Sequence, residues 1–358
     1  MTESSPLYNI IGLMSGTSMD GVDAAFIQTD GENRLVFGAG HYLAYPADFQ
    51  KRLESVLGGK GDVAGVAAEL TQFHIRATRE LLATLGKNPG EVDYLGFHGH
   101  TIFHDPKNKK TLQIGDAEML ARETGIKVVY DFRSDDVAAG GQGAPLVPIF
   151  HRALCRDLPK PVAVLNIGGV ANVTYIGANG ELIAFDTGPG NAMIDDWIRQ
   201  HSNQTFDENG ETARRGKIDV GILAEFLADS YFTQTPPKSL DRDHFNVSLV
   251  RDLNLADGAA TLAACTVQSI IAAQSFFPSA PLQWIVCGGG RKNRFLMDSL
   301  RAVLPHVKNA DELGWNGDLI EAQAFAYLAA RVIRGLPISF PGTTGVKQPL
   351  TGGKIFLK

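Results

Sequence analysis

The chain has 358 residues, 44% hydrophobic and 20% charged, which is enough to bury a sizeable core and favours two domains. Its formal net charge of -6 leaves no excess of basic residues, so nucleic acid is a poor candidate partner. The three cysteines have no paired spacing, and neither an export signal nor a long uncharged apolar stretch is indicated. We therefore expect a cytoplasmic protein without disulfides, cysteine-bound metal or a membrane span.

The first predicted elements are three antiparallel strands. An apolar run over residues 9–14 is followed by the turn-rich segment 15–21 and by a second apolar run over 24–29. An Asp-Gly pair then predicts a hairpin turn, and residues 35–43 predict the third strand.

The same pattern returns in the middle of the chain. A strand is predicted at 162–167, followed by Gly168 and Gly169, a strand at 172–176, an Asn-Gly turn and a strand at 182–186. The repetition indicates a structural duplication, although two unrelated hairpins would give a similar pattern.

Helical segments alternate with these strands. Apolar spacing and end signals predict four main helices, of which the second begins at an Asn cap. Their expected ranges are 63–85, 191–200, 258–277 and 319–334. The pattern predicts an α/β fold with two similar lobes and an interlobe cleft for a ligand. The predicted lobes are residues 1–130 with 337–358, and residues 131–336.

The first turn, residues 15–21, has the composition of a phosphate site. Its glycines permit close backbone approach, and Ser15, Thr17 and Ser18 supply hydroxyl groups. The Asp20 carboxylate suits a hard cation such as magnesium. The alternative is a hairpin turn without a ligand, and the ending of a Walker loop is missing.

Two further glycine clusters follow predicted strands. Gly168 and Gly169 occupy the equivalent turn of the second copy, and residues 288–290 lie between a strand at 283–287 and a helix at 294–304. Exposed backbone N–H groups there suit phosphates or the face of a purine. Each cluster alone is more typical of a structural turn than of a site, and it is the presence of three clusters at strand ends of one duplicated framework that favours a site.

Asp186 is the candidate base. It lies at the end of a predicted strand, before a rigid turn and a helix start, and a carboxylate held there can orient and deprotonate a water or hydroxyl. We expect nearby helix N–H groups to favour its ionised form. The alternative is an Asp that only accepts hydrogen bonds from its own turn.

Polar residues between 98 and 143 suit an acidic ligand. His98, His100 and His104 could bind zinc, but no further ligand with metal spacing accompanies them, so substrate contacts or packing are favoured. Arg133 could bind a carboxylate with two parallel hydrogen bonds, or form an ordinary ion pair. We expect the glycine-rich segment 140–143 to be a flexible connection.

Together these motifs resemble the anhydro-N-acetylmuramic acid kinase family over nearly the whole chain. The matching segments are residues 12–23, 131–133, 140–148, 166–172, 186–191, 287–293 and 321–326. The family belongs to the superfamily of sugar kinases, actin and heat-shock chaperones. The resemblance implies a ribonuclease-H-like fold in both lobes, ATP with magnesium, and a homodimer.

The resemblance also implies a reaction in which water opens 1,6-anhydro-N-acetylmuramic acid at its anomeric carbon. The freed 6-oxygen takes the γ-phosphoryl group of ATP, giving N-acetylmuramic acid 6-phosphate for cell-wall recycling. Asp186 would be the base, with Asp20 and Glu321 near the metal, although Glu321 could be a helix-surface residue. The implied sugar contacts are Thr101, His100, Arg133 and Asp186. The implied nucleotide contacts are Gly16, Thr17, Ser18, Met19, Asp20, Gly21, Val22, Asp23, Gly168, Gly169, Asn172, Gly288, Gly289, Gly290 and Asn293.

Two departures from the family pattern are present. His100 stands where the family usually has Gln, and Leu240-Asp241 stands where it has Thr-Gly. We expect both to alter affinity without touching Asp186, Arg133 or the phosphate loop. An ordinary sugar kinase that opens no ring, and a nucleotide-dependent switch protein, are the alternative functions.

Overall fold

A computed structural model of the protein describes residues 6–16 and 18–357. The chain forms two compact units. Unit 1 comprises Met1–Leu154 and Leu319–Lys358, and unit 2 comprises Cys155–Asp318.

The elements of each unit follow in chain order. Unit 1 contains the strands β1 Tyr8–Met14, β2 Gly21–Thr29, β3 Leu35–Ala44, β4 Tyr94–Phe97, β5 His100–Asp105, β6 Lys110–Ile114, β7 Lys127–Tyr130 and, near its end, β13 Lys354–Phe356. Its helices are α1 Ala47–Ser55, α2 Val63–Leu85, α3 Ala117–Thr124, α4 Ser134–Ala138, α5 Pro148–Leu154, α11 Ile320–Ile333 and α12 Pro341–Thr344. Unit 2 contains the strands β8 Val162–Ile167, β9 Val170–Ile176, β10 Leu182–Pro189, β11 Gln283–Cys287 and β12 Val307–Asn309. Its helices are α6 Ala192–His201, α7 Glu211–Arg215, α8 Val220–Leu227, α9 Leu255–Ala273 and α10 Arg294–Val303.

The predicted duplication is confirmed by the two main sheets. The sheet of unit 1 has the order β13-β7-β4-β1-β2-β3, and that of unit 2 has the order β10-β9-β8-β11-β12. In each, the first three strands are antiparallel neighbours and the first strand then pairs in parallel with a later one. This common order is that of the ribonuclease-H-like fold. The strands at 162–167 and 283–287 have the predicted bounds, whereas β10 continues past residue 186 to Pro189.

The lobe boundaries differ from those predicted from the sequence, because residues 131–154 and helix α11 belong to unit 1. Helix α11 packs on β1 at a very close approach. A Cβ on Gly12 would lie 1.8 Å from the carbonyl oxygen of Ala322, and one on Gly96 would lie 2.3 Å from that of Phe325. Gly12 and Gly96 are paired across β1 and β4. Two glycines side by side therefore let a C-terminal helix cover the N-terminal sheet, a long-range pairing that helical periodicity does not reveal.

The opposite face of the same sheet carries the core of unit 1. Ile11 and Leu13 flank Gly12 on β1 and are fully buried in the cluster that includes Leu70 and Phe73 of α2. Because side chains alternate along a strand, Gly12 faces α11 while its two neighbours face α2.

Helix α9 is the central helix of unit 2. The stretch Leu255–Phe276 is long and apolar enough to cross a membrane by length and composition, with 67% of its best window buried inside the protein. It packs against α6, where the Trp197 indole N–H donates to the Leu255 carbonyl at 2.9 Å. Its burial is that of a core helix.

Candidate functional site

The β1–β2 turn is fixed by a buried hydroxyl. The Ser15 hydroxyl accepts a hydrogen bond from the Tyr45 O–H at 2.8 Å and lies 3.0 Å from Nδ1 of His100. Burial raises the pKa of Tyr45 and lowers that of His100 to about 4, so we treat His100 as neutral. Ser15 is therefore committed to contacts within the protein. The expectation that the His100 departure does not touch the phosphate loop is wrong, because His100 contacts its first residue.

The rest of this turn leaves a carboxylate open to solvent. Thr17 lies outside the described residues. Met19 has a positive φ of 54°, and its N–H donates to the Gly16 carbonyl at 3.1 Å. The exposed Asp20 accepts a hydrogen bond of 2.7 Å from the Ser18 hydroxyl. An accessible carboxylate beside a tight turn suits a hydrated hard cation.

The last three residues of the predicted nucleotide segment, Gly21, Val22 and Asp23, belong to strand β2 rather than to the turn. Gly21 packs tightly against β3, since a Cβ there would lie 2.5 Å from the Leu43 carbonyl oxygen. Val22 is fully buried in the core of unit 1. Asp23 is half-buried and pairs with Met14 across the sheet. Of these predicted nucleotide residues, Val22 can therefore offer only its backbone.

A buried histidine orients Arg133. The Arg133 Nε–H donates to Nε2 of His98 at 2.9 Å, and its Nη1 donates to the Gly143 carbonyl at 2.7 Å. Since Arg has donors only, Nε2 of His98 must be the acceptor, and Nδ1–H then donates to the Gly99 carbonyl at 2.9 Å. Burial and the Arg133 charge lower the pKa of His98 well below its usual value. The guanidinium is thus oriented by two protein acceptors, His98 and Gly143.

The segment after Arg133 is tethered rather than flexible, contrary to expectation. The buried Asp136 carboxylate accepts hydrogen bonds from the Gly143 N–H and the Thr344 hydroxyl, both at 2.6 Å. The Gln142 N–H also donates to the Thr344 carbonyl at 2.6 Å. The C-terminal segment therefore holds the loop that in turn holds Arg133.

Thr101 lies in a row of polar side chains on the β5–β6 hairpin. Its hydroxyl accepts from the Gln113 side-chain amide at 3.2 Å, and the same amide donates to Thr111 at 2.8 Å. Thr111 lies 3.0 Å from Nδ1 of His104, whose Nε2 lies 2.9 Å from the Gln142 carbonyl. The three predicted histidines thus have separate protein partners. Among residues 6–16 and 18–357, no group of three or more His, Cys, Asp or Glu is placed to hold a metal ion.

Glu321 lies in the first turn of α11. The surrounding protein raises its pKa, and the positive charge of Arg133 opposes this. The side chain is nevertheless exposed. When ionised, the carboxylate balances part of the charge of Arg133.

Asp186 is held from three sides in unit 2. Its N–H donates to the Lys238 carbonyl at 3.1 Å, and its own carbonyl accepts from the Tyr231 hydroxyl at 2.5 Å. Its Oδ2 accepts from the Leu240 N–H at 2.8 Å. It pairs with Asn172 of β9, where β10 has a bulge before Gly188. The unpaired residue of the bulge is Thr187, so the regular pairing of β10 is interrupted directly after Asp186.

Two expectations about Asp186 are wrong. Burial raises its pKa to about 6, whereas helix N–H groups were expected to favour ionisation; the opposing hydrogen bond comes from Leu240. The departure at Leu240 also touches Asp186 directly. Because the donor is the backbone N–H of residue 240, Leu at this position can make the same hydrogen bond to Asp186 as Thr would.

The two glycine clusters of unit 2 meet at the strand ends. The Gly190 N–H donates to the Gly169 carbonyl at 2.9 Å, and the Asn191 N–H to the Gly168 carbonyl at 2.7 Å. A Cβ on Gly288, whose φ is 74°, would lie 2.7 Å from the Ile167 carbonyl oxygen. The structure therefore brings Gly168 and Gly169 close to the 288–290 cluster, at the ends of the neighbouring strands β8 and β11.

Two Asn residues near these glycines have structural contacts. Asn191 occupies the cap position of α6, but its side chain makes no capping bond and donates to the Ile167 carbonyl at 3.1 Å, so the predicted Asn cap is wrong in detail. Asn293 caps α10, where its side-chain oxygen accepts from the Leu296 N–H at 3.1 Å. Its proposed nucleotide contact would therefore have to use other atoms.

Sequence reasoning missed His98 as the orienting partner of Arg133, and Tyr231 and Lys238 as partners of Asp186. Each acts through a contact distant in the chain, such as the 45-residue separation between Tyr231 and Asp186. A lone Tyr or Lys gives no local signal of such a role.

A model of the family described as anhydro-N-acetylmuramic acid kinase matches residues 8–358. The chain belongs to this family. An anhydro-N-acetylmuramic acid kinase from Paramagnetospirillum magneticum is 49% identical, covering 96% of this chain and 98% of the relative. One from Rhodospirillum rubrum is 46% identical, covering 99% and 95%. The resemblance inferred from the motifs is confirmed.

The fold has a solved counterpart. The activator of the 2-hydroxyisocaproyl-CoA dehydratase from Clostridium difficile, solved with bound ADPNP, is similar with a TM-score of 0.50 and 14% identity. The match covers 91% of this chain and 96% of the activator. It supports the fold of the kinase family member and nothing further about its activity.

Proposed function

We propose that this family member opens 1,6-anhydro-N-acetylmuramic acid with water and phosphorylates it with ATP. The observation that carries the proposal is the family match over residues 8–358, which includes Asp186 and Arg133. In the proposed reaction, a water oxygen bonds to the anomeric carbon while that carbon's bond to the 6-oxygen breaks. The 6-oxygen then takes the γ-phosphoryl group, and ADP leaves.

Asp186 would accept the proton of the attacking water. Its carboxylate is oriented by the Leu240 N–H, and a pKa of about 6 leaves it mostly ionised at neutral pH. That pKa also places the base close to working pH, where general base catalysis is efficient.

Arg133 would bind the lactyl carboxylate of the sugar. Two of its donors are already used by His98 and Gly143, which fixes the guanidinium plane before the ligand arrives. Such preorganisation reduces the entropy lost on binding. Thr101 and His100 would supply further sugar contacts.

The turn at residues 16–23 and the glycines at 168–169 and 288–290 would contact ATP. Magnesium, when bound with ATP, would neutralise phosphate charge, and the exposed Asp20 fits a hydrated magnesium ion, with Glu321 in a supporting role. Phosphoryl transfer needs positioning and charge neutralisation more than covalent help, which suits a site built from backbone N–H groups.

The proposal places the enzyme in the cytoplasm as a homodimer that acts in cell-wall recycling. Cys155, Cys265 and Cys287 are buried and form no disulfide, which is compatible with a reducing compartment. The dimer is inferred from the family resemblance alone.

The test is incubation of the purified protein with magnesium-ATP and the anhydro sugar in water enriched in heavy oxygen. We expect sugar-dependent ADP release and a phosphorylated product that carries one heavy oxygen. A phosphorylated sugar without the heavy oxygen would instead indicate an ordinary sugar kinase. ATP hydrolysis at the same rate with and without the sugar would indicate a switch protein.

Asp186→Asn is the variant that tests the base. We expect kcat to fall by about 100- to 10,000-fold, the usual range for general base catalysis, with ATP affinity retained. Asp252→Asn is the control, because it removes the same charge from a fully solvated surface site in the same unit. An Asp186→Asn enzyme with wild-type turnover would refute the assignment.

A further inference from the structure

Lys238 has an unusual environment for a lysine. Its ammonium donates to the Tyr231 carbonyl at 2.8 Å and lies 4.5 Å from the ring centroids of both Tyr231 and Phe276. The Phe185 ring is 5.7 Å away. Three aromatic rings around one ammonium form a cation–π site that is already occupied by the protein's own side chain.

The segment that begins at Lys238 holds the proposed base at two points. The Lys238 carbonyl accepts from the Asp186 N–H, and the Leu240 N–H donates to Oδ2 of Asp186. Lys238 therefore makes the first contact with its own backbone, and the second contact comes from the residue two positions later.

The rings that surround the ammonium connect to the same carboxylate. Tyr231 donates its hydroxyl to the Asp186 carbonyl, and Phe185 precedes Asp186 in β10. Leu240 packs into the aromatic cluster formed by Phe226, Tyr231 and Phe232. Side chain and backbone contacts thus tie residues 238–240 to the strand that carries Asp186.

We propose that Lys238 is a positioning residue: its ammonium, anchored to the Tyr231 carbonyl and the aromatic rings, holds the 238–240 segment so that the Leu240 N–H aims the Asp186 carboxylate. This inference rests on the proposed role of Asp186 as the base. It explains why Leu240 can replace the family's Thr, since the aiming group is a backbone N–H that any residue except proline provides.

The first experiment compares Lys238→Met with Lys238→Arg. Methionine keeps a long apolar side chain but removes the charge and the donor, so we expect kcat to fall by up to about 100-fold, the effect of a misplaced catalytic group. The KM for ATP should stay near that of the wild type. Arginine keeps a cation that can stack on the rings and should recover part of the loss.

The pH profile separates positioning from simple destabilisation. In the wild type we expect kcat to decline as pH falls through about 6, where Asp186 becomes protonated. The Leu240 N–H lowers that pKa, so its displacement in Lys238→Met should move the decline to higher pH. The groups on the adjoining segments that can carry a charge are Asp229, Tyr231, Lys238, Asp241, Arg242 and His244. Of these, Tyr231 and Lys238 contact Asp186; burial raises the pKa of Tyr231 and lowers that of Lys238 to about 8. His244 lies 3.5 Å from the Asp229 carboxylate, with its ring 6.0 Å from that of Tyr231, so the profile of Lys238→Met is compared with that of Lys238→Arg, which keeps the same neighbours.

Lys160→Met is the matched control. Its ammonium also holds backbone carbonyls of unit 2, those of Cys155, Arg156 and Leu158 at 2.8–3.2 Å, in a loop without a contact to Asp186. We expect Lys160→Met to lower Tm without moving the pH profile. If Lys238→Met behaves like this control, or keeps wild-type kcat, the inference is overturned.

A second pair of variants covers the case in which Lys238→Met does not fold. Leu240→Pro removes the backbone N–H, whereas Leu240→Thr changes the side chain but retains the backbone N–H. As pH is lowered, kcat should begin to fall at a higher pH in Leu240→Pro than in Leu240→Thr. Equal pH profiles of the two variants would contradict the inference. An active Asp186→Asn enzyme would instead refute the proposed function itself, so the two failures are distinguishable.

Discussion

At the residue scale, the proposed roles of Asp186 and Arg133 depend on how the surrounding protein holds them rather than on rare residue types. Asp186 and Arg133 are each aligned by two or three hydrogen bonds to the protein. Burial raises the pKa of Asp186 and lowers that of Arg133, because loss of contact with water disfavours the charged form of each side chain.

Arg133→Lys tests whether the guanidinium recognises a carboxylate. Lysine keeps the charge but cannot bond His98, Gly143 and a ligand in one plane. We expect the KM for the sugar to rise by about 10-fold or more, as loss of one charged hydrogen bond of about 1.5–3 kcal/mol would produce, with KM for ATP little changed. Steady-state kinetics with each substrate varied in turn would measure this.

Arg122→Lys is its control, since Arg122 forms an exposed pair with Glu118 in the same unit. Equal sugar KM values for the wild type and Arg133→Lys would exclude Arg133 from carboxylate recognition.

At the element scale, the packing of α11 on the first sheet depends on two glycines. Helix and strand are close enough that the Gly12 hydrogen faces the Ala322 carbonyl. The same sheet face near Gly96 contacts the Phe325 backbone. No other residue type fits at that separation, which makes the glycines a requirement of packing rather than of turn geometry.

Gly12→Ala should therefore destabilise unit 1. The added methyl would collide with backbone atoms, so we expect the free energy of unfolding to fall by about 1–3 kcal/mol, the usual effect of overpacking. Urea denaturation would measure it. Gly90→Ala is the control, because a Cβ there meets open space and its effect should stay within about 0.5 kcal/mol. Similar midpoints for the two variants would contradict the packing argument.

At the scale of the whole molecule, unit 2 is continuous in the chain and unit 1 is assembled from both ends. Unit 2 carries its own core, with Trp197 and Trp284 fully buried. Unit 1 needs residues 319–358 for α11 and for β13, the edge strand beside β7.

Separate expression of the fragments tests this organisation. We expect residues 155–318 to unfold cooperatively on their own, whereas residues 1–154 should expose the face of β1 and β4 and fail to give a cooperative transition. Adding the segment 319–358 through a short linker after residue 154 should restore folding. A cooperative transition in residues 1–154 alone would refute the assignment of α11 as an essential part of unit 1.

Much of the local structure could be predicted because it depends on neighbouring residues. The turn glycines and the apolar runs predicted both three-stranded openings, and the spacing in residues 63–85 predicted α2 with its observed bounds. Asp186, Arg133 and the glycine turns were recognisable because their motifs are contiguous.

The sequence by itself thus determined the duplicated α/β framework, the family, and the residues that carry its motifs. Tertiary structure alone decided that α11 closes unit 1, that His98 aims Arg133, and that the Lys238–Leu240 segment holds Asp186. The physical reason is distance along the chain. Periodicity and turn chemistry report interactions within a few residues, whereas burial, and with it the pKa of Asp186, depends on segments that meet only after folding.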